Sequence, residues 1–149
     1  MTIIVKNISS WVKALIVLFG IYVIAFGDLT PGGGFAGGVI LASSYILLML
    51  AFGREFVQKN LPPSLALKLV CCGALAFAAV AMSGLLYGPD GFFWNFIHQK
   101  CPDFISAGTI PLAEFAIGLT VAASLFLIIF TLSTCCKDFR LGAPANKKE

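Results

Sequence analysis

The sequence predicts an all-α integral membrane protein with four transmembrane helices and both termini in the cytoplasm. Three observations carry that reading. The composition is 59% hydrophobic and 11% charged, with a mean hydropathy of +0.96, whereas soluble domains carry about 25% charged residues. Four segments, 14–27, 29–53, 69–89 and 115–136, contain no charged residue, and a helix needs about 20 apolar residues to cross a bilayer core. Nine of the ten basic residues fall at the N-terminus, the second connection or the C-terminal tail.

Each element follows from these runs. The first helix is expected over about 8–27, with Trp11 as an interfacial anchor and Lys13 snorkelling its charge toward water. The second is expected over about 35–52, the third over 65–86 and the fourth over 110–132, with Pro111 suited to a first helical turn. A short cytoplasmic tail, 133–149, completes a single membrane domain over 1–149. Open β-structure is excluded, because its edge groups would go unpaired in lipid and the runs show no strict alternation. The N-terminal run also lacks the small-x-small site of a cleaved signal peptide, ending instead in Gly27-Asp28-Leu29-Thr30-Pro31.

Orientation comes from Lys6, Lys13, Arg54, Lys59, Lys68, Lys137, Arg140, Lys147 and Lys148, against Lys100 alone on the other side. Basic residues stay cytoplasmic, so the termini and the Arg54–Ser64 connection face inward. The basic balance is thereby accounted for, and no nucleic-acid partner is implied. The partners implied are the lipid bilayer and other membrane protein.

Between the first two spans lies Thr30-Pro31-Gly32-Gly33-Gly34-Phe35-Ala36-Gly37-Gly38. Proline before three glycines permits a sharp turn. Gly33 with Gly37, and Gly34 with Gly38, form small-residue pairs that let another helix approach closely, and we expect these faces to pack against neighbouring subunits. The outward Tyr87–Thr109 connection is long and aromatic, with Phe92, Phe93, Trp94, Phe96 and Ile97 suggesting interfacial anchoring. His98, the single histidine, sits beside Gln99 and Lys100 and is better read as solvated than as a proton relay.

Motifs for catalysis fail on context. Gly32, Gly34 and Gly37 match a dinucleotide-binding spacing, but no strand precedes them. The cysteines Cys71, Cys72, Cys101, Cys135 and Cys136 contain no CxxC pair, and Cys71 and Cys72 are expected to pack within the third span. No catalytic residue, cofactor or metal site is implied. One residue stands out. Glu114 lies about one turn into the fourth span, with Gly118 and Ala122 on its face. Ionisable groups in membranes mark ion or proton paths; a carboxylate near a helix N-terminus is also favoured by the dipole alone.

The glycine stretch, preceded by Gly27-Asp28-Leu29, resembles the signature of the MnhB-like family, one of the subunit families of Mrp/Mnh-type multisubunit cation/proton antiporters, a module that recurs in membrane-bound hydrogenase-type respiratory complexes. Gly108-Thr109-Ile110-Pro111-Leu112, leading to Ile117-Gly118-Leu119, is similar to the start of that family's last span. Asp28 stands where the family pattern suggests histidine or a similar polar residue, Ala36 where glutamine is common, and Glu114 where relatives carry Asn or Asp. The resemblance implies a non-catalytic subunit in the cell membrane of a bacterium or archaeon, helping to form or support a Na+/H+ path beside other antiporter or hydrogenase-like subunits. The alternative is a purely structural or assembly subunit of a redox-driven complex. An independent carrier is disfavoured, since only the first half has a triglycine turn.

The topology makes a direct prediction. In sealed right-side-out vesicles an impermeant thiol reagent should label Cys101 and spare Cys135 and Cys136; labelling of the tail cysteines would overturn the orientation.

Overall fold

The computed structural model describes residues 3–27, 31–87 and 108–142, with the side chains of Tyr87 and 136–142 outside the description. Five helices follow in order: α1 (Ile3–Ala25), α2 (Gly33–Phe52), α3 (Arg54–Asn60), α4 (Pro63–Tyr87) and α5 (Ile110–Gly142). Among the described residues there is no strand. The helices α1, α2, α4 and α5 are long and apolar enough to cross a membrane. The Tyr87–Thr109 connection with His98 and Cys101, residues Asp28 to Thr30, and the last seven residues lie outside the described residues, apart from Tyr87, Gly108 and Thr109 at the ends of that connection.

Helix ends depart from the hydrophobic runs for local reasons. Helix α1 begins at Ile3 rather than near Ile8, because no Gly or Pro interrupts the chain there and Lys6 and Asn7 remain exposed. Helix α5 continues past Leu132 to Gly142, since loss of hydrophobicity does not itself break a helix. At about 1.5 Å per residue it extends for roughly 50 Å, well beyond an apolar core of about 30 Å. The 133–142 stretch is therefore helical rather than a simple tail.

Helix α3 has no counterpart among the expected elements. Gly53 adopts φ 87°, which ends α2 while its amide still donates to the Met49 carbonyl at 3.1 Å. The chain then turns α3 inward and buries Val57 to 2% exposure. Pro62 and Pro63 follow α3, and Pro63 opens α4, where its missing amide costs nothing.

The central contact is α2 against α5. Helix α1 packs on α2 as an antiparallel hairpin, with a lighter touch on α5, and α4 packs on α5. The large side chains gather at one end, where Leu48, Val57, Ala66, Phe126 and Phe130 form a buried cluster joined by Tyr45 and Met49. At the opposite end the helices close on glycine.

Gly37 and Gly38 are adjacent in α2, so the faces they leave bare diverge by about 100°. That divergence serves two neighbours. A Cβ on Gly37 would stand 3.0 Å from the Gly20 carbonyl oxygen of α1 and collide with Ile24. One on Gly38 would stand 2.7 Å from the Gly118 carbonyl oxygen and 2.9 Å from Val121 Cβ, both on α5. One on Gly34 would collide with the Glu114 carbonyl. On α4, Gly73 similarly admits Thr120 of α5. The expectation that these glycines meet neighbouring subunits is therefore corrected. The chain uses them internally, and Gly34, Gly37 and Gly38 are all buried. Cys71 and Cys72 are corrected too, being exposed on α4 rather than packed.

Exposure of apolar residues is concentrated on the flanking helices. Trp11 (78%), Leu15, Leu18 and Phe19 face outward on α1, as do Leu75 and Leu86 on α4. Such surfaces are suited to lipid or to other membrane helices.

The seam predicts that two glycines resist substitution for different reasons, collision at Gly38 and backbone conformation at Gly53. Gly38→Leu should destabilise the isolated chain by at least about 1–3 kcal/mol, the usual cost of overpacking, seen as a lower melting temperature in detergent. Gly53→Ala has nothing within 4 Å to strike, so its cost should be backbone strain alone, about 1–3 kcal/mol for a side chain at φ 87° and ψ 165°. A Gly38→Leu variant that melts at the parent temperature would contradict the seam.

Candidate functional site

The start of α5 sets the site. Gly108 turns the chain with φ 68°, and the carbonyl of the buried Thr109 accepts the Ala113 amide at 3.2 Å. Pro111 then occupies the first turn, where no amide partner is required. Glu114 falls one turn later, half-buried, on the face that approaches α2.

Its carboxylate rests in a cradle defined by absent side chains. Oε1 lies 2.9 Å from the point where a Gly33 Cβ would stand. Oε2 occupies the space a Gly27 side chain would take, and the Glu114 backbone occupies that of Gly34. The cradle thus joins the end of α1, the turn and the start of α2 to α5. Gly32 provides no side-chain cap for α2, and the Glu114 carboxyl group lies beside that helix end, where the dipole favours its ionised form. In partly buried geometries that arrangement contributes up to about 2 kcal/mol.

The residues singled out from sequence divide into three groups. Gly33 and Gly34 meet Glu114, while Gly37 and Gly38 act deeper, against α1 and α5. Pro31 and Gly32 are exposed in the turn, and Phe35 is 66% exposed, pointing away from the cradle. Thr30 lies outside the described residues. Hydroxyls within the spans are occupied locally: Ser44 donates to Leu41 O at 2.7 Å, Thr120 to Ala116 O at 2.8 Å and Ser124 to Val121 O at 3.0 Å. These bonds satisfy polar groups without a partner helix.

A second polar feature, not found from sequence, lies at the basic end. The Arg54 guanidinium donates to Thr134 Oγ1 and stacks with its carbon 4.6 Å from the Phe130 ring centroid. Thr134 Oγ1 in turn donates to the Phe130 carbonyl at 3.0 Å. Arg54 thereby ties α3 to the far end of α5. Nearby, the Lys6 and Lys13 ammonium groups sit 5.8 Å and 5.4 Å from the Phe52 and Tyr45 ring centroids. The available signal was a glycine and an arginine directly after an apolar run, followed by the apolar pair Phe56-Val57.

Chemically, the Glu114 cradle can take up a proton or attract a cation. Among the described residues no three His, Cys, Asp or Glu side chains gather to hold a metal. The cradle makes a coupling prediction. Gly27→Ala should destabilise the chain, and adding Glu114→Ala should relieve part of the loss, giving a coupling of about 0.5–3 kcal/mol in a double-mutant cycle. Simple additivity in detergent unfolding would separate the two residues.

Comparison with known proteins gives a consistent result. A family model described as a domain related to the MnhB subunit of Na+/H+ antiporter matches residues 4–127. A Staphylococcus haemolyticus protein provisionally named antiporter subunit mnhB2 is 32% identical over 133 residues, covering 88% of this chain and 94% of that protein. Its Staphylococcus aureus counterpart is 30% identical over 138 residues with the same coverage. An uncharacterized protein of Methanocaldococcus jannaschii is 35% identical over 143 residues; this covers 89% of the chain, which spans about half, 52%, of that longer protein. Matched over most of its length by the family model and by relatives of similar size, the chain belongs to the family of domains related to the MnhB subunit of Na+/H+ antiporter.

Proposed function

We propose that this chain is a membrane subunit of a multisubunit Na+/H+ antiporter in a bacterial or archaeal cell membrane, where it helps to form or support the cation/proton path. Four spans and the family match support the setting. The observation that carries the finer role is the Glu114 carboxylate, seated where three segments meet near one membrane surface. The charge bias puts both termini and the basic end in the cytoplasm, so Glu114 stands toward the outside.

In this position Glu114 acts as a polar contribution to a path built mainly by partner subunits. A single carboxylate among back-bonded hydroxyls does not make a continuous route across the membrane by itself. Proton uptake by Glu114 would remove the charge that the α2 N-terminus favours, which links protonation to the fit between α5 and the glycine turn. Partners are other antiporter subunits; hydrogenase-type partners belong to the same reading of the module.

A second reading is favoured by the same cradle. The carboxylate serves only to hold α5 against α2, and the chain supports assembly without a path of its own. Glu114→Gln distinguishes the two, since it retains volume and removes charge. On the path reading the variant assembles normally, while Na+/H+ exchange per assembled complex in everted vesicles falls at least about tenfold, the equivalent of about 1.4 kcal/mol. Glu114→Asp should lie between. Normal exchange per assembled complex in the Gln variant would eliminate the path role and leave the structural one.

A further inference from the structure

Two adjoining cavities at the basic end differ in chemistry, the first of mixed polarity and the second apolar. The first, of about 370 Å³, is lined by Ser10 and Lys13 of α1, Tyr45 of α2 and Asn60 at the end of α3, with apolar side chains including Phe52 and Phe56 between them. The second, of about 250 Å³, is apolar and runs toward the middle of the span between α1 and α4, over a floor of α2 and α5. Its walls include Val17 and Ile21 from α1, Leu41 from α2, Leu69 from α4, and Leu119 and Ala122 from α5. Tyr45 and Leu61 line both, so the two cavities adjoin as one slot with a polar mouth and an apolar interior.

We propose that this slot binds one anionic phospholipid from the leaflet on the basic side, with its phosphate at Lys13, Ser10 and Asn60 and an acyl chain in the apolar cavity. This inference needs only that the chain spans a bilayer, and stands apart from the role of Glu114.

Charge complementarity selects the headgroup. Lys13 supplies the cation at the mouth, and Lys6 and Arg54 lie at the same end. Glu55 and Lys59, both exposed on the short helix that ends in Asn60, do not line the mouth. A mouth that carries a cation and polar side chains, continuing into an almost wholly apolar cavity, selects an amphiphile over a small ion or a wholly apolar helix. Length agrees as well. From Lys13 to Ile21 the helix rises about 12 Å, close to half of a hydrocarbon core of about 30 Å. A lipid entering from one leaflet would therefore place its phosphate at the interface and fill the slot to near the midplane.

The test uses the full chain purified in mild detergent, with native mass spectrometry of bound phosphatidylglycerol and phosphatidylcholine and with thermal unfolding in each lipid. One phosphatidylglycerol should be retained in preference to phosphatidylcholine and should raise the melting temperature. Lys13→Gln should reduce that preference about tenfold, as expected for one charge-assisted hydrogen bond, while Lys59→Gln leaves it unchanged. Ala122→Phe, which fills the apolar cavity and alters no charge, should expel the lipid even where the Lys13 variant folds poorly. Equal retention of both lipids, or phosphatidylglycerol binding that survives both Lys13→Gln and Ala122→Phe, would overturn the proposal. So would finding that a helix of another subunit occupies the slot in the assembled complex.

Discussion

The close approach of α2 to α5 is the constraint on which the rest of this chain depends. Helices meet at this distance only where side chains are absent, and Gly34, Gly38 and Gly118 supply those absences on the two facing surfaces. In lipid there is little hydrophobic force between spans, so van der Waals contact between backbones becomes the main source of cohesion. Gly37 and Gly20 extend the same device to α1, and Gly73 extends it to α4. Away from the seam, aromatic and aliphatic side chains wedge the basic end apart around Phe126 and Phe130. One end of the molecule is thus held by missing atoms and the other by bulky ones.

That division shapes the candidate site. The tight end brings the α1–α2 turn so near to α5 that the Glu114 side chain fills the space its glycines leave open. Its carboxyl group therefore lies against the turn and the start of α2 together. The loose end leaves a slot open to the membrane, beside cations held over aromatic rings. A chain of this design has little polar machinery of its own and much exposed apolar surface on α1 and α4, consistent with work done inside a larger assembly.

How far the sequence foretells this depends on the physical nature of each feature. The spans are legible because a bilayer demands long apolar runs, and 29–53 or 115–136 have few other uses. The glycine pairs are recognisable as sites of close approach, but their partners are not. Spacing shows which face is bare and says nothing of whether α5 or another chain lies against it. Glu114 stands out by the rarity of a carboxylate in such a run, whereas Gly27 as its seat requires three-dimensional contact. Helix α3 escapes because a short helix between Gly53 and Pro62 has no periodic pattern long enough to detect. Arg54 escapes with it, since its contacts with Phe130 and Thr134 span about half the chain.

The central claim is that the α2–α5 seam closes within one chain. It is tested most directly by replacing the native cysteines, introducing Gly38→Cys and Val121→Cys, and oxidising the complex in its native membrane. The Cβ position at Gly38 lies 2.9 Å from Val121 Cβ, near enough for a slight separation of the helices to reach the roughly 3.5–4.5 Å of a disulfide. The account predicts an intramolecular bond, seen as a faster-migrating single chain that reverts on reduction. A cross-link from either introduced cysteine to another subunit, with no intramolecular product, would contradict it.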